Sequence, residues 1–208
     1  MMKILRFDAL DTYPMLRDSM FRDRARQFVE RLKWDIPVTR NGLEIDQYDD
    51  EDAIYLIACN GAGEHEASMR LRPTLGRTLL EDIFPSMYRK EFRAENIWES
   101  TRFCVSPTDN GTGAVRVLLA GQALGLAQGL TGSLGIYDVR MMRVYKRLGW
   151  APEPLDESDD PSGRIGLGMW RFSAAHLSRL SYVSGIGSRI ANIWVEQANG
   201  YDPIFNLQ

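Results

Sequence analysis

Between residues 12 and 34, Leu16, Met20, Phe28 and Leu32 recur at multiples of four, the spacing that lines one face of an amphipathic helix. Arg24 fills the missing position in that line. A guanidinium in an apolar stripe is costly unless it is paired. Either the stripe drifts and Arg24 snorkels at its edge, or a carboxylate meets it. Ala53–Cys59 and Glu66–Arg72 carry strand patterns around a Gly61-Ala62-Gly63 turn, and Pro73 closes the second. A helix is expected around Ser86–Ala94. A strand follows over Asn96–Val105, where Ile97, Trp98, Phe103 and Val105 favour a pleated surface. Beyond a turn at Ser106–Gly111 the pattern predicts a helix over 113–130, a strand over Leu134–Val139, and a helix over Arg140–Leu148 closed by Gly149. Residues 151–162, rich in Pro and Asp, read as a loop. A strand over Arg164–Phe172 precedes a helical region from Ala174, with Ser173 as its cap. This order predicts a three-layer α/β/α fold with a mixed sheet. No repeat or linker divides the chain, so residues 1–208 are expected to form one domain.

Composition narrows the function. The chain has 208 residues, 44% hydrophobic and 25% charged, with a net charge of −3. That balance argues against a general nucleic-acid binder, which needs a basic excess to neutralise phosphates, and leaves room for local basic patches. The N-terminus lacks the apolar stretch of a secretory signal, and no apolar run of about 18 residues suggests a membrane span. A cytoplasmic location is expected. Cys59 and Cys104 lack metal-ligand spacing and lie in apolar runs, so they read as reduced core residues. His65 and His176 are isolated, and neither adjoins a nucleophile motif. No metal or cofactor is expected.

Four patterns then stand in order: Arg24-x-x-x-Phe28-x-x-x-x-x-Trp34, Glu44-Ile-Asp46-Gln-Tyr-Asp49, Ser68-Met-Arg70-Leu-Arg-Pro73-Thr74 and Trp98-Glu99-Ser100-Thr101-Arg102-Phe103. With Phe84 and Gly149-Trp150 they resemble the LuxI-type acyl-homoserine-lactone synthases. The resemblance is clear over roughly residues 5–105. Thr101 stands where many relatives carry Ser, and the hydroxyl is kept. The resemblance implies a fold similar to the N-acetyltransferase (GNAT) fold. It also implies an enzyme that acylates the amine of S-adenosylmethionine from acyl carrier protein, then closes the lactone and releases methylthioadenosine. S-Adenosylmethionine is then a substrate rather than a cofactor, and the product is a quorum-sensing signal.

That chemistry makes demands on the residues. The amine is largely protonated at neutral pH and needs a proton acceptor. Glu99 is the candidate; a structural ion pair with Arg70 or Arg102, or a backbone-held water acting in its place, stays open. Thr101 and Arg70 join Glu99 in the catalytic assignment. Asp46 and Asp49 suit the substrate ammonium, Arg24 suits its carboxylate bidentately, and Phe28 and Trp34 offer aromatic faces to the sulfonium. Plain core packing explains the two aromatics equally well. Phe84, Ser100 and Arg102 are assigned to support of the site. In a regular strand Glu99 and Thr101 face opposite to Ser100 and Arg102. Arg102 is therefore expected to hold the acidic loop unless a bulge turns it. Arg24 is expected to meet Asp46 or Asp49.

The acyl donor is expected on an acidic carrier protein, for which Arg140, Arg143, Lys146 and Arg147 form a candidate docking face on one predicted helix. Gly125, Gly129, Gly132 and Gly135 suggest room for an acyl tunnel. The competing reading is a GNAT-type N-acyltransferase using acyl-CoA. That fold holds pyrophosphate on amides at a helix start, with a basic or amide residue ahead of the glycines. Here the segment is Thr108-Asp109-Asn110-Gly111-Thr112-Gly113, which has the glycines without that residue.

Overall fold

The computed structural model describes residues 1–160 and 163–201. Seven strands form one sheet: β1 (Met2–Arg6), β2 (Ile54–Cys59), β3 (His65–Pro73), β4 (Ile97–Val105), β5 (Gly132–Asp138), β6 (Glu153–Asp160) and β7 (Gly163–Arg171). Their spatial order is β1-β2-β3-β4-β5-β7-β6. Every neighbouring pair is antiparallel except β4–β5. Helices cover both faces, as the α/β reading expects. One face carries α3 (Thr112–Ala127), packed against α5 (Ala174–Ser184) and α6 (Ser188–Tyr201). The other carries α1 (Pro14–Arg24) against β3 and β4. The short helices α2 (Leu79–Ile83) and α4 (Met142–Leu148) complete the set. β2 lies between the two layers and is buried along its whole length, which explains its continuous apolar run. Among the described residues no helix is long and apolar enough to cross a membrane.

Three expectations need correction, and one strand went unread. The helix expected over 12–34 is α-helical only to Arg24; Ala25–Arg31 winds as a π-helix, and Lys33 ends it at φ +59°. The helix expected at Ser86–Ala94 is instead α2 at 79–83, followed by a single 3-10 turn at Lys90–Phe92. Thr78 caps α2 by accepting from the Glu81 amide, and a helix this short has no periodicity to read. Residues 153–160 form a strand where a loop was expected, because β6 is an edge strand and edges tolerate acidic residues and Pro154. β1 had no sequence reading; it completes the opposite edge by pairing with β2.

Two features of β4 shape the site. Ser68 pairs with Cys104 but Arg70 pairs with Thr101, so β4 carries an extra residue there, a β-bulge. Arg102 takes φ +54° within it, a left-handed backbone that a non-glycine residue adopts only when its surroundings enforce it. On its other edge β4 pairs with β5 only at Ile97–Glu99 against Gly132–Leu134. Beyond those residues the two parallel strands part.

Candidate active site

The acidic loop folds back over the sheet because three arginines draw it there. Arg24, from the end of α1, donates from Nε to Glu44 at 2.5 Å and from Nη1 and Nη2 to the two Asp49 oxygens at 3.0 Å each. Arg70, from β3, donates to Asp46 at 2.5 and 3.1 Å, to Asp49 at 2.7 Å and to Thr101 Oγ1 at 3.0 Å. Arg102, turned by the bulge, donates to Glu44 at 3.0 and 3.2 Å and to Asp46 at 2.7 Å. Three guanidiniums thus face three carboxylates, and the charges balance within the cluster. Beside it, Arg72 bonds Asp50 and the Tyr48 carbonyl, fixing the rest of the loop.

Burial would raise the Asp49 carboxyl, but Arg24, Arg70 and the hydrogen bond from Tyr55 hold it well below the usual carboxylate range. The same burial, with Asp49 beside it, pushes the Tyr55 hydroxyl well up. Burial would lower the Arg24 guanidinium, yet Asp49 and Glu44 raise it instead.

Arg24 meets Asp49 as expected and Asp46 not at all; its second partner is Glu44. The carboxylate-clamp role assigned to Arg24 does not fit this geometry. Its side chain is 1% exposed and each of its three nitrogens already donates to the loop, so it is a buried brace. Glu44 is the residue the site assignment missed. It is wholly buried and joins Arg24 to Arg102, and its place in the Glu44-x-Asp46-x-x-Asp49 pattern was the available signal. Arg102 holds the acidic loop, but by way of the bulge and not on the regular strand for which that role was expected. The bulge also brings it to the same cluster as Thr101 and Arg70. Phe28 stacks on Trp34 at 4.9 Å between centroids, and the Arg102 guanidinium lies 5.4 Å from the Phe28 ring.

Glu99 forms no ion pair with Arg70 or Arg102. Its oxygens accept from the Leu79 and Leu80 amides at 2.9 and 2.7 Å, so it anchors the start of α2. Burial raises its carboxyl above the usual value, with those two amides opposing the shift. Each oxygen keeps a second lone pair for a further donor. Phe84 packs on the apolar cluster of Leu80, Met87 and Leu134 beneath it.

Where β4 and β5 part, a cavity of about 50 Å³ opens between them. Thr101, Arg102 and Phe103 line it from β4, Ser133 and Ile136 from β5, and Tyr145 from α4. Thr101 and Arg102 thus belong to both the cavity and the charged cluster. Ser100 donates to the Leu134 carbonyl at 3.1 Å, bridging the strands where they separate. The tunnel reading of the glycines is largely wrong. A side chain at Gly125 would strike Phe172 at 2.3 Å and one at Gly132 would strike Met169 at 2.4 Å, so those spaces are already filled. Gly129 is a turn residue at φ +67°. Gly135 alone of the four lines the cavity.

On α4, Arg143, Lys146 and Arg147 are exposed while Tyr145 is buried toward the cavity. Arg140 precedes α4 in a 3-10 turn and pairs with Asp138. At the start of α3, Asp109 accepts from the Gly113 amide at 3.1 Å and Asn110 from the Thr112 amide at 3.3 Å. A carboxylate therefore lies against the amides at the start of α3.

Cys59 and Cys104 are free and buried, as expected. The histidines are less isolated than the sequence suggested. His65 Nδ1 lies 2.9 Å from Asp23 and Nε2 lies 3.0 Å from Ser68 Oγ. That Ser-His-Asp order resembles a hydrolase relay, but the three residues are no more than 5% exposed and tie α1 to β3. His176 contacts Ser173, the cap of α5.

The autoinducer synthase family model matches residues 10–164. An acyl-homoserine-lactone synthase from Rhizobium etli is 37% identical over 195 residues, covering 86% of this chain and 92% of that protein. One from Agrobacterium fabrum is 32% identical over 160 residues, covering 72% of this chain and 75% of that protein. Among solved structures, the CoA-dependent acyl-homoserine lactone synthase BjaI, with SAM and isopentyl-CoA, superposes with a TM-score of 0.78 at 23% identity over 93% of this chain and 99% of its own. An acyl-CoA N-acyltransferase from Pseudomonas aeruginosa gives a TM-score of 0.53 at 17% identity over 82% of this chain and 99% of its own. These two likenesses are of fold alone. The chain belongs to the autoinducer synthase family, as an acyltransferase of the acyl-homoserine-lactone synthase type.

Proposed function

We propose that this enzyme transfers an acyl group from acyl carrier protein to the amine of S-adenosylmethionine and then closes the homoserine lactone. The observation that carries the reading is the junction at Thr101 and Arg102, where a charge-balanced cluster meets an apolar cavity between two parted strands. The zwitterionic substrate takes the charged side and the acyl chain the apolar side. Arg102, at the edge of the cluster, receives the carboxylate, and Asp46 receives the ammonium when Arg70 or Arg102 releases one of its contacts. Arg24, Asp49 and Glu44 hold them in position. Phe28 and Trp34 offer an aromatic surface to the sulfonium. Glu99, with its raised carboxyl, takes the amine proton, directly or through a water. Its approach requires the α2 segment to yield, because Glu99 is 2% exposed.

The amine nitrogen bonds to the thioester carbon, and the carrier thiol departs with a proton. The substrate carboxylate oxygen then attacks the methionyl carbon next to sulfur. The carbon–sulfur bond breaks, and methylthioadenosine leaves as a neutral thioether. The capped start of α3 and the exposed Arg143, Lys146 and Arg147 favour a carrier protein over free acyl-CoA. The CoA-dependence of BjaI is the observation on the other side. Purified enzyme given S-adenosylmethionine with matched acyl-carrier and acyl-CoA donors tests both points by mass spectrometry. Lactone formed with higher kcat/KM from the carrier donor is expected. No lactone from either donor refutes the function, and preference for acyl-CoA refutes the donor.

A further inference from the structure

Tyr48 stands in the turn between Asp46 and Asp49, yet its side chain makes none of the ion pairs of the charged cluster. The residue is 1% exposed. Three guanidiniums approach its ring, Arg70 at 5.5 Å, Arg72 at 6.0 Å and Arg77 at 5.3 Å from the centroid. Its hydroxyl donates to Asp82 Oδ2 at 3.0 Å, 34 residues along the chain and within α2. Asp82 also pairs with Arg77, but Arg77 is exposed and belongs to the same segment. Tyr48 therefore ties this end of α2 to the acidic loop. At the other end, the Leu79 and Leu80 amides are the donors that hold Glu99. α2 has only five residues, too few to keep a helix without tertiary contacts, so its place depends on such anchors.

The loop end of this connection reaches the substrate side. Asp46 Oδ1 accepts from the Tyr48 amide at 2.9 Å and from Arg70 at 2.5 Å. An ammonium arriving on Asp46 competes with both donors, and Arg70 also lies against the Tyr48 ring. Asp46, Tyr48, Asp82 and the two α2 amides thus form one bonded path to Glu99, which is 2% exposed beneath its cover. We propose that Tyr48 is a positioning residue for Glu99: through Asp82 it ties the segment covering the base to the turn that receives the substrate ammonium, so that S-adenosylmethionine on Asp46 loosens α2 and frees Glu99. This rests on the substrate site and the base proposed above. A ligand shifts such an equilibrium only by binding its two states differently. By linkage, a change that breaks the tie beforehand must tighten the substrate.

Two variants test this. Tyr48→Phe keeps the ring among the arginines and removes the hydroxyl; Asp82→Ala removes the acceptor from the other side. Hydrogen exchange at the Leu79 and Leu80 amides and equilibrium binding of S-adenosylmethionine are measured without acyl donor. In the wild-type enzyme the substrate is expected to speed exchange at these amides roughly fivefold or more. In both variants exchange should be fast before substrate is added and change little afterwards. Both should bind S-adenosylmethionine roughly threefold to tenfold more tightly than wild type. A phenol that merely packs the loop predicts the opposite sign, with weaker binding and faster exchange over residues 44–52 as well. That result overturns the inference, as does exchange at Leu79 and Leu80 that slows or stays constant when wild-type enzyme binds substrate. The Asp82 side chain is 30% exposed, so Asp82→Ala decides the matter should Tyr48→Phe fail to fold. No binding of S-adenosylmethionine by the wild-type enzyme would overturn the proposed function and this inference together, whereas normal binding over an unresponsive α2 overturns the inference alone.

Discussion

Glu99 and Arg24 show how a residue's duty follows from what surrounds it. Glu99 is held by two amides and raised by burial. Glu99→Gln removes the proton acceptor and turns an NH2 group toward the Leu79 or Leu80 amide. Acylation should fall on the order of 100-fold or more, with a loss of about 1–3 kcal/mol in stability from the opposed donors. Single-turnover assays beside urea unfolding separate the two effects. Wild-type acylation should also decline as pH falls through the raised Glu99 value, because the base works only when deprotonated; a flat profile there would assign the proton to another group. Arg24 and Arg102 make a second contrast. Arg24→Ala leaves Glu44 to Arg102 and Asp49 to Arg70, with one buried carboxylate charge uncompensated in the cluster, and should cost about 3–5 kcal/mol. Arg102 sits at the cavity, so Arg102→Ala should cost less stability and raise the KM for S-adenosylmethionine more. Equal losses of stability in the two variants would count against the division between brace and binding residue.

At the scale of elements, the bulge in β4 and the separation of β4 from β5 create the site. A regular β4 would send Arg102 to the face opposite Thr101. Parting from β5 leaves one edge of β4 without a ladder to β5 over Ser100–Val105, and backbone groups on that edge are free to meet a ligand or solvent. α4 links this opening to the surface through Tyr145 inside and Arg143, Lys146 and Arg147 outside. Arg143→Glu with Lys146→Glu should raise the KM for acyl carrier protein and leave that for S-adenosylmethionine nearly unchanged. Added salt should weaken the wild-type interaction in the same direction, because rim charges are screened. Steady-state kinetics with each substrate varied in turn checks this, and an unchanged carrier KM would move the docking face elsewhere. Arg140 should matter less, since Asp138 already engages it.

Across the whole molecule, the acidic loop is bound to the sheet by a cluster that depends on ionised carboxylates. Asp49 is the clearest contributor, with its folded value held well below the ordinary 3.8. A depressed carboxylate adds stability that is fully present above the unfolded value and disappears as pH falls through the folded one. Stability should therefore hold at mildly acidic pH and drop as pH falls below about 4. Asp49→Asn should be destabilised near neutrality and show a shallower acid loss. Thermal melts over an acid series check the pair; a variant with the wild-type slope would place the linkage at another group.

Sequence by itself determined the order of most elements, the buried β2–β3 hairpin, and a polar and aromatic set distinctive enough to mark the family. It did so because periodicity and side-chain chemistry are local properties of a chain. It also forced a partner for Arg24, since an unpaired guanidinium in that stripe is too costly. Which carboxylate answers Arg24 was a tertiary decision: the path of the loop puts Glu44 beneath it and sends Asp46 to Arg70 and Arg102. So was the edge strand β6, whose acidic composition is tolerated because it ends the sheet among the described residues. Glu99 found its amide donors about 20 residues upstream in a helix too short to announce itself. The bulge at Arg102 and the cavity beside Ser133 depend on register between strands, which no residue specifies alone. Register follows from how two layers of side chains pack across the sheet.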